Sequence, residues 1–586
     1  MKRRVASIVA IGVVLTLGLA ACKGTSSPGG SGGNNNTSTP AFNAAMGKVF
    51  NPSDKKGGVI KMANSGEWDT YDPGETYYAY SWNFARLYAR SLVSFKAAPG
   101  TASNELVPDL ATSLGVPSDN AKTYTYKLRP GLKYEDGTPI TAKDVKYAVL
   151  RSTDKETFPN GPAYFEQFLN LPAGYKGPYK TPNMDTNSAI ETPDDTTIVF
   201  HLKQPFAAFD YLAQMPQTAP VPQAKDDGAK YKDHVVSSGP YKFADNQPGK
   251  SFKLVRNSNW DPASDPIRKA LPEEYDVALK VDANDIDNQL LAGTLQMDVA
   301  ATGVQAAAVS TILSDPAKKA KSDNPVSLRL WYISIDAQVP PLNNIDCRKA
   351  IMYATDRVAN QTAFGGEVAG GQIATTMLPP AIAGHTDFDL YPAGADNHGD
   401  VEKAKAALTA CGKPTGFETG MAYRAERPKE KATAEAMQQA LARVGIKLTL
   451  SPFPQGDYFA QYAGNPPYMR AHNIGLAANG WQADWADGFG FLSQIVDSRV
   501  IRETGGSSNI SVRIPEVDQM LDAALAETDV AKRNVMWGNI DKRIMQDAVV
   551  LPVVYAKSLL VRGQGLTNIF VNDAFGEYDY TALGVQ

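Results

Sequence analysis

The sequence predicts a mixed α/β fold divided among two or three domains, and three observations predict it. Short segments alternate apolar and polar residues with the period of a strand, as in Tyr124-Thr125-Tyr126-Lys127-Leu128. Others carry an apolar stripe at helical spacing. One runs from about Thr433 to Val444, with Ala436, Met437, Ala440, Leu441 and Val444 on one face and Gly445 ending it. The two kinds are interspersed along 586 residues without internal repeats, too long a chain for a single core.

Taken in order, the chain opens on a basic head, Met1-Lys2-Arg3-Arg4, and an almost uninterrupted apolar run from Val5 to Ala20. Leu19-Ala20-Ala21-Cys22 closes the run with small residues. This is the pattern of a secretory signal peptide; a spanning helix needs ~20 apolar residues and different flanks. The end of the run also resembles the bacterial lipoprotein box, which implies that Cys22 is lipid-modified and becomes the mature N-terminus. Lys23 to Pro40 is dominated by Gly, Ser, Asn and Thr. It has too little apolar surface to offset its ordering entropy, so it reads as a flexible tether. The folded part is expected to start near Gly57.

Gly57-Gly58-Val59-Ile60-Lys61-Met62-Ala63 reads as a glycine-led strand, followed by an aromatic-rich helix around Trp82 to Leu92. Gly137-Thr138-Pro139 marks a turn. Thr141, three residues before Asp144, forms an N-cap pattern like a capping box, and Val145, Ala148 and Val149 supply the helix stripe. Thr197-Ile198-Val199-Phe200, Ser251 to Val255 and Ile446 to Leu450 read as strands, and about Glu516 to Glu527 as a helix. Asp346 can cap a helix from Cys347 through Ala354, and Asp400 a second one, in which Val401, Ala404, Leu408 and Cys411 share a face before Gly412.

Composition narrows the function. The chain is 43% hydrophobic and 20% charged, with net charge −4 and no basic block after Arg4, so nucleic acid is not an expected partner. The histidines, His201, His234, His385, His398 and His472, form no His-x-His or His-x-x-x-His pair, so no metal site is expected. Gly29-Gly30-Ser31-Gly32-Gly33 has the spacing of a nucleophile elbow but sits in the tether, without the strand and helix that elbow requires. There is no P-loop. Scattered Asp/Glu pairs leave glycoside hydrolysis as a minor alternative. With Cys22 assigned to the lipid, Cys347 and Cys411 remain; in an exported chain they pair as one disulfide or stay as two buried thiols.

Seven segments, in order from Gly57 to the C-terminus, resemble the large extracytoplasmic solute-binding proteins of ABC importers, the peptide-binding class (family 5). They are the Gly57-Gly58 strand, Leu106-Val107-Pro108-Asp109-Leu110-Ala111, Tyr124 to Val145 with Tyr134-Glu135-Asp136-Gly137-Thr138-Pro139, and Ser238-Gly239-Pro240-Tyr241-Lys242. Arg256-Asn257-Ser258-Asn259-Trp260, Cys347-Arg348-Lys349-Ala350-Ile351 with Asp356-Arg357, and Gly480-Trp481-Gln482-Ala483-Asp484-Trp485 complete the set. The resemblance implies a two-lobed periplasmic-binding-protein type II fold with an extra domain inserted in lobe one. The implied division is signal peptide 1–21, lipidated Cys22 with linker 22–56, lobe one 57–91, 196–324 and 548–586, inserted domain 92–195, and lobe two 325–547.

It further implies a lipid-anchored receptor outside the membrane that passes a peptide-like solute to permease and ATPase subunits, with no cofactor beyond the lipid and a monomer as the default. Asp484 stands where peptide-binding relatives pair a carboxylate with the ligand's α-amino group; otherwise it reads as a solvated loop or cap carboxylate. Trp485 replaces the tyrosine common there, so Trp481 and Trp485 equally suit stacking on a sugar or aromatic group. Tyr80, Ser81 and Trp82 fall on the family's first-lobe contact segment, while Tyr77 reads as packing. Besides the peptide receptor, an oligosaccharide receptor of the same fold and a surface hydrolase or ligand-presenting sensor remain as alternatives.

Overall fold

A computed structural model describes residues 41–586. The expected signal peptide, Cys22 and the first part of the tether lie outside the described residues. Two large sheets organise the rest. In lobe one, five strands run in the order Met297–Asp298, Val59–Ala63, Glu274–Ala278, Ser251–Arg256, Tyr241–Gln247. Val59–Ala63 is parallel to both its neighbours, and the remaining pairs are antiparallel. The alternation seen in the sequence buries Ile60, Met62, Phe252, Leu254, Tyr275 and Val277 in one core.

Lobe two is built on six strands in the order Gly371–Ile373, Val550–Lys557, Val326–Ile335, Ile474–Gln482, Glu418–Arg424, Lys447–Phe453. A smaller antiparallel sheet, Val116–Ser118, Thr123–Lys127, Thr197–His201, Ile190–Asp194, forms the inserted domain. The helix Ala142–Ser152 packs there with Val145, Ala148 and Val149 buried, and Thr141 and Asp144 form the expected capping box, a motif contributing about 1 kcal/mol.

Several boundaries differ from the sequence reading. Thr197–His201 pairs along its whole length with Thr123–Lys127, so the inserted domain extends past residue 195. Val550–Lys557, placed with lobe one from residue 548, pairs instead with Val326–Ile335 and Gly371–Ile373 in lobe two. The chain re-enters lobe one at Leu560–Val561, which pairs with Ser322–Asp323. Residues 41–56 are no tether: Ala44 and Ala45 are buried, the Ala45 N–H donates to Asp323, and Phe50 bridges Ile569.

Local signals shift too. The helix expected around Trp82 to Leu92 is Ala79–Ala85. It ends early: the Leu87 and Tyr88 carbonyls accept from the backbone N–H groups of Tyr241, Ser238 and Gly239 instead of continuing the helix. The helix expected from Thr433 begins at Pro428, since proline suits the first helical turn, and ends at Ala442. Asn344, not Asp346, caps Ile345–Ala354, while Asp400 caps Val401–Ala410 as expected. Cys347 and Cys411 join these two helices by a disulfide with Cα atoms 5.4 Å apart, inside the range that a bridge requires.

Candidate functional site

Between the lobes lie two adjoining cavities, of about 70 Å³ and about 60 Å³. Tyr77, Tyr78, Gly480 and Trp481 line both. At roughly 10–15 Å³ for each water held, this space suits several waters or a small solute. The lobes meet around it. The Tyr78 hydroxyl donates to the Gln455 carbonyl (3.2 Å), Gln455 Nε2 donates to the Tyr80 hydroxyl (3.3 Å), and Lys429 Nζ to the Thr302 carbonyl (2.8 Å).

The cleft wall from lobe two is a face of the central sheet. Val326–Ile335 and Ile474–Gln482 are antiparallel neighbours in which Arg329 pairs with Gln482 and Trp331 with Gly480. Directly paired residues share a face, and all four line the first cavity. Gly480 must be glycine here: a Cβ would stand 2.3 Å from the Trp331 ring. The Arg329 guanidinium lies over that ring, 5.5 Å from its centroid.

Just beyond the strand end is Asp484. Its Oδ2 accepts from the hydroxyls of Tyr77 (2.9 Å) and Tyr164 (2.7 Å). One tyrosine comes from lobe one and the other from the inserted domain, so this carboxyl gathers all three parts of the molecule. Burial pushes Asp484 up to about 7, against the lowering effect of the Tyr164 and Tyr77 hydrogen bonds. Among the described residues it has no cationic partner, and a buried carboxylate without one is costly.

The structure brings some predicted site residues together and not others. Tyr80, Trp82, Trp481 and Asp484 line the cavity. Trp82 is fixed by a hydrogen bond from its indole N–H to the Thr76 carbonyl (2.7 Å), and Tyr77 stacks on its ring. Ser81 does not reach the cavity; its hydroxyl donates to Asp69 at 3.0 Å. Trp485 is also turned away. It is 2% exposed, stacks on Tyr211 and packs with Tyr164 and Phe489. Its large ring fills a gap between lobe two and the inserted domain, so it packs rather than contacts a solute. Tyr77, read as packing, lines both cavities. The sequence reading missed Tyr78, Tyr164, Arg329, Trp331, Arg424, Arg427 and Gln482. For Arg329 a signal existed: a lone cation in the otherwise apolar strand Leu328-Arg329-Leu330-Trp331-Tyr332-Ile333 has to face something polar.

Comparison with known proteins identifies the family and the fold. The family described as bacterial extracellular solute-binding proteins, family 5 Middle, matches residues 105–502. The chain is 28% identical over 462 residues to the glutathione-binding protein GsiB of Escherichia coli O1:K1 / APEC, covering 78% of this chain and 81% of that one. A solved structure, clavulanic acid biosynthesis oligopeptide binding protein 2, superposes with a TM-score of 0.83 at 39% identity, covering 93% of this chain and 98% of its own. The periplasmic binding protein DppA from Helicobacter pylori, in complex with peptide STSA, shares the fold at a TM-score of 0.73 and 20% identity, covering 91% and 99%. The fold is thus the two-lobed periplasmic-binding-protein type II architecture.

Proposed function

Because the chain belongs to family 5 of the bacterial extracellular solute-binding proteins, whose members here are binding proteins and not enzymes, we propose that it captures short peptide-like solutes between its lobes. It then delivers them to the permease of an ABC importer powered by a separate ATPase subunit. It acts as a monomer, held outside the membrane by a lipid on Cys22. One observation carries the choice of ligand: Asp484 is buried in the cleft with two tyrosine donors and, among the described residues, no cation beside it. A ligand ammonium group supplies the missing charge, and the pair is strengthened by exclusion of water. The names of relatives agree, with glutathione for GsiB and oligopeptides for the nearer solved structure.

Function follows from closure. Contacts to both lobes favour the closed form, and the permease reads the closed faces. The small enclosed space argues for short ligands. An aromatic-stacking solute such as an oligosaccharide is the second reading, favoured by Trp82, Trp331 and Trp481 on the cavity wall. It is weakened by the burial of Trp485 away from the cavity. The test is to purify the mature chain, denature it and identify the released molecules by mass spectrometry. Short peptides are expected. A sugar would reverse the order of the two readings, and peptides that neither co-purify nor shift the melting temperature would sink the first.

A further inference from the structure

Away from the cleft, lobe one encloses a cavity of about 230 Å³ that shares no lining residue with the two cleft cavities. Four stretches of chain converge on it: Phe50 and Asn51, the end of the helix Ala283–Ala292, the segment from Lys318 to Lys321, and Val561 to Leu566. Leu290, Leu291, Val561, Leu566 and the Phe50 ring make its apolar wall. Leu290, Val561 and Leu566 are themselves buried, so this wall belongs to the lobe's packed interior and not to a loose surface fold.

The charged part of the lining has one sign. Lys318, Lys321 and Arg562 line the cavity, and among the described residues no carboxylate does. Arg562 is 4% exposed and held in place from behind. Its Nη1 lies 2.5 Å from Asp323 Oδ2, its Nη2 donates to the Ala41 carbonyl at 2.8 Å, and its guanidinium lies 4.7 Å from the Phe50 ring centroid. Both terminal nitrogens are thus engaged, and Nε is left buried without a partner among the described residues. An unpartnered buried donor is costly. Lys318 pairs with Asp315 at 3.5 Å, but these side chains are 39% and 40% exposed, and an ion pair so open to water holds its members weakly. Lys321 is exposed. Both lysines can therefore turn toward a guest in the cavity.

We propose that this cavity is a second binding site, separate from the cleft, for a small organic anion with an apolar body: a carboxylate on a ring or chain of about six to eight carbons. An apolar cavity of about 150 Å³ holds benzene, so the larger space here takes such a body together with its head group. The body lies against Leu290, Leu291 and Leu566. The head accepts from Arg562 Nε and is flanked by Lys318 and Lys321, as a carboxylate with several acceptor sites allows. An inorganic anion would leave the apolar wall unfilled, and a neutral molecule would forgo the lysines. The site does not depend on what the cleft binds.

The test titrates octanoate, octan-1-ol and inorganic phosphate calorimetrically into the mature protein. Octanoate is expected to bind on the order of 10-fold more tightly than either of the others. Bound octanoate should slow acetylation of Lys321 by acetic anhydride, read by mass spectrometry, and leave the exposed Lys447 of lobe two unaffected. Replacing both lysines, Lys318→Gln with Lys321→Gln, should weaken octanoate about 5-fold and leave octan-1-ol and the melting temperature unchanged. Leu291→Trp, at a half-buried position of the wall, should weaken octanoate and octan-1-ol alike by at least about 10-fold, because the indole takes up the space. The two variants act by different means, so the test survives the failure of one to fold. Octanoate that does not bind, that binds no better than octan-1-ol or phosphate, or that leaves Lys321 unprotected at saturation overturns the inference. So does a double lysine variant that binds octanoate as wild type does. None of these outcomes bears on Asp484 or on the peptide reading.

Discussion

Two clusters of buried charge in this molecule have the same ingredients and opposite bookkeeping. Behind the cleft, Arg90 and Arg268 meet Asp109 and Asp265, with Arg90 Nε 2.8 Å from Asp109 Oδ1 and Arg268 Nη2 2.7 Å from Asp109 Oδ2. Asp265 holds Arg268 at 3.1 Å and also accepts backbone N–H groups from Ile267 and Arg268. All four side chains are sealed from solvent and each charge has a counter-charge. In the cleft, Asp484 is also buried and Arg329 partly so, yet among the described residues neither has an ionic partner. The first cluster pins together the loop after Ala79–Ala85, the Leu106–Pro108 strand and the loop before Glu274–Ala278. The second leaves its charges for a ligand to complete. Stability resides in the first, and binding energy is held in reserve in the second.

The largest expected effect breaks the paired cluster. Asp109→Asn leaves two guanidinium groups facing one remaining carboxylate, and should lower unfolding stability by about 3–5 kcal/mol. Denaturant titration measures it. Affinity of the molecules that stay folded should not change. A loss below about 1 kcal/mol would mean that the network is no stronger than a surface pair and that the contrast drawn here is false.

Next comes Asp484→Asn, which should do the reverse. Peptide affinity should fall on the order of 10- to 100-fold, with no loss of stability. The pH dependence sharpens this. Burial raises the folded-state Asp484 carboxyl to about 7, above an unfolded value of about 3.9, so its contribution to stability is complete below about pH 4 and is lost as pH rises through about 7. The loss is on the order of 4 kcal/mol, at about 1.4 kcal/mol for each pH unit. Ligand-free Asp484→Asn should therefore match wild type at pH 4 and exceed it at pH 8. Peptide binding should strengthen from pH 5 to about 7.5 and release a proton, measurable by calorimetry in buffers of different ionisation enthalpy. Binding indifferent to pH would put Asp484 outside the ligand contacts.

The same contrast explains what could be read before the fold was known. The motif carrying Asp109 and the one carrying Ser238 and Gly239 were visible as patterns, and both prove structural. Ser238 and Gly239 donate to the Tyr88 carbonyl, and a Cβ on Gly239 would stand 2.6 Å from the Leu87 carbonyl oxygen. Asp484 and Trp481 were legible because they lie in one short segment. Tyr164 was not, because its contact with Asp484 depends on packing of the inserted domain, which no local spacing encodes. Trp485 misled for the complementary reason. Alternation says which face a residue takes only while the strand lasts, and the strand ends at Gln482. The error at Val550–Lys557 is of the same kind: an apolar run announces a buried strand without saying which sheet receives it.

The smallest expected effect separates two accounts of the tyrosines around Asp484. Tyr77→Phe and Tyr164→Phe each remove one hydrogen bond to Oδ2, worth about 1–3 kcal/mol to a charged acceptor. Both bonds favour the ionised carboxylate, so either change should raise Asp484 further above about 7 and move the rise in peptide affinity to higher pH. If the tyrosines merely fill space, affinity falls a little through looser closure but its pH midpoint stays put. The two variants should also differ from each other. Tyr77 stacks on Trp82 in lobe one, whereas Tyr164 accepts a second bond, from Ser493 at 3.2 Å, and packs on Trp485. Losing the Tyr164 hydroxyl therefore strands the Ser493 donor as well, and should cost more in closed-form stability than losing that of Tyr77, although both shift the midpoint in the same direction.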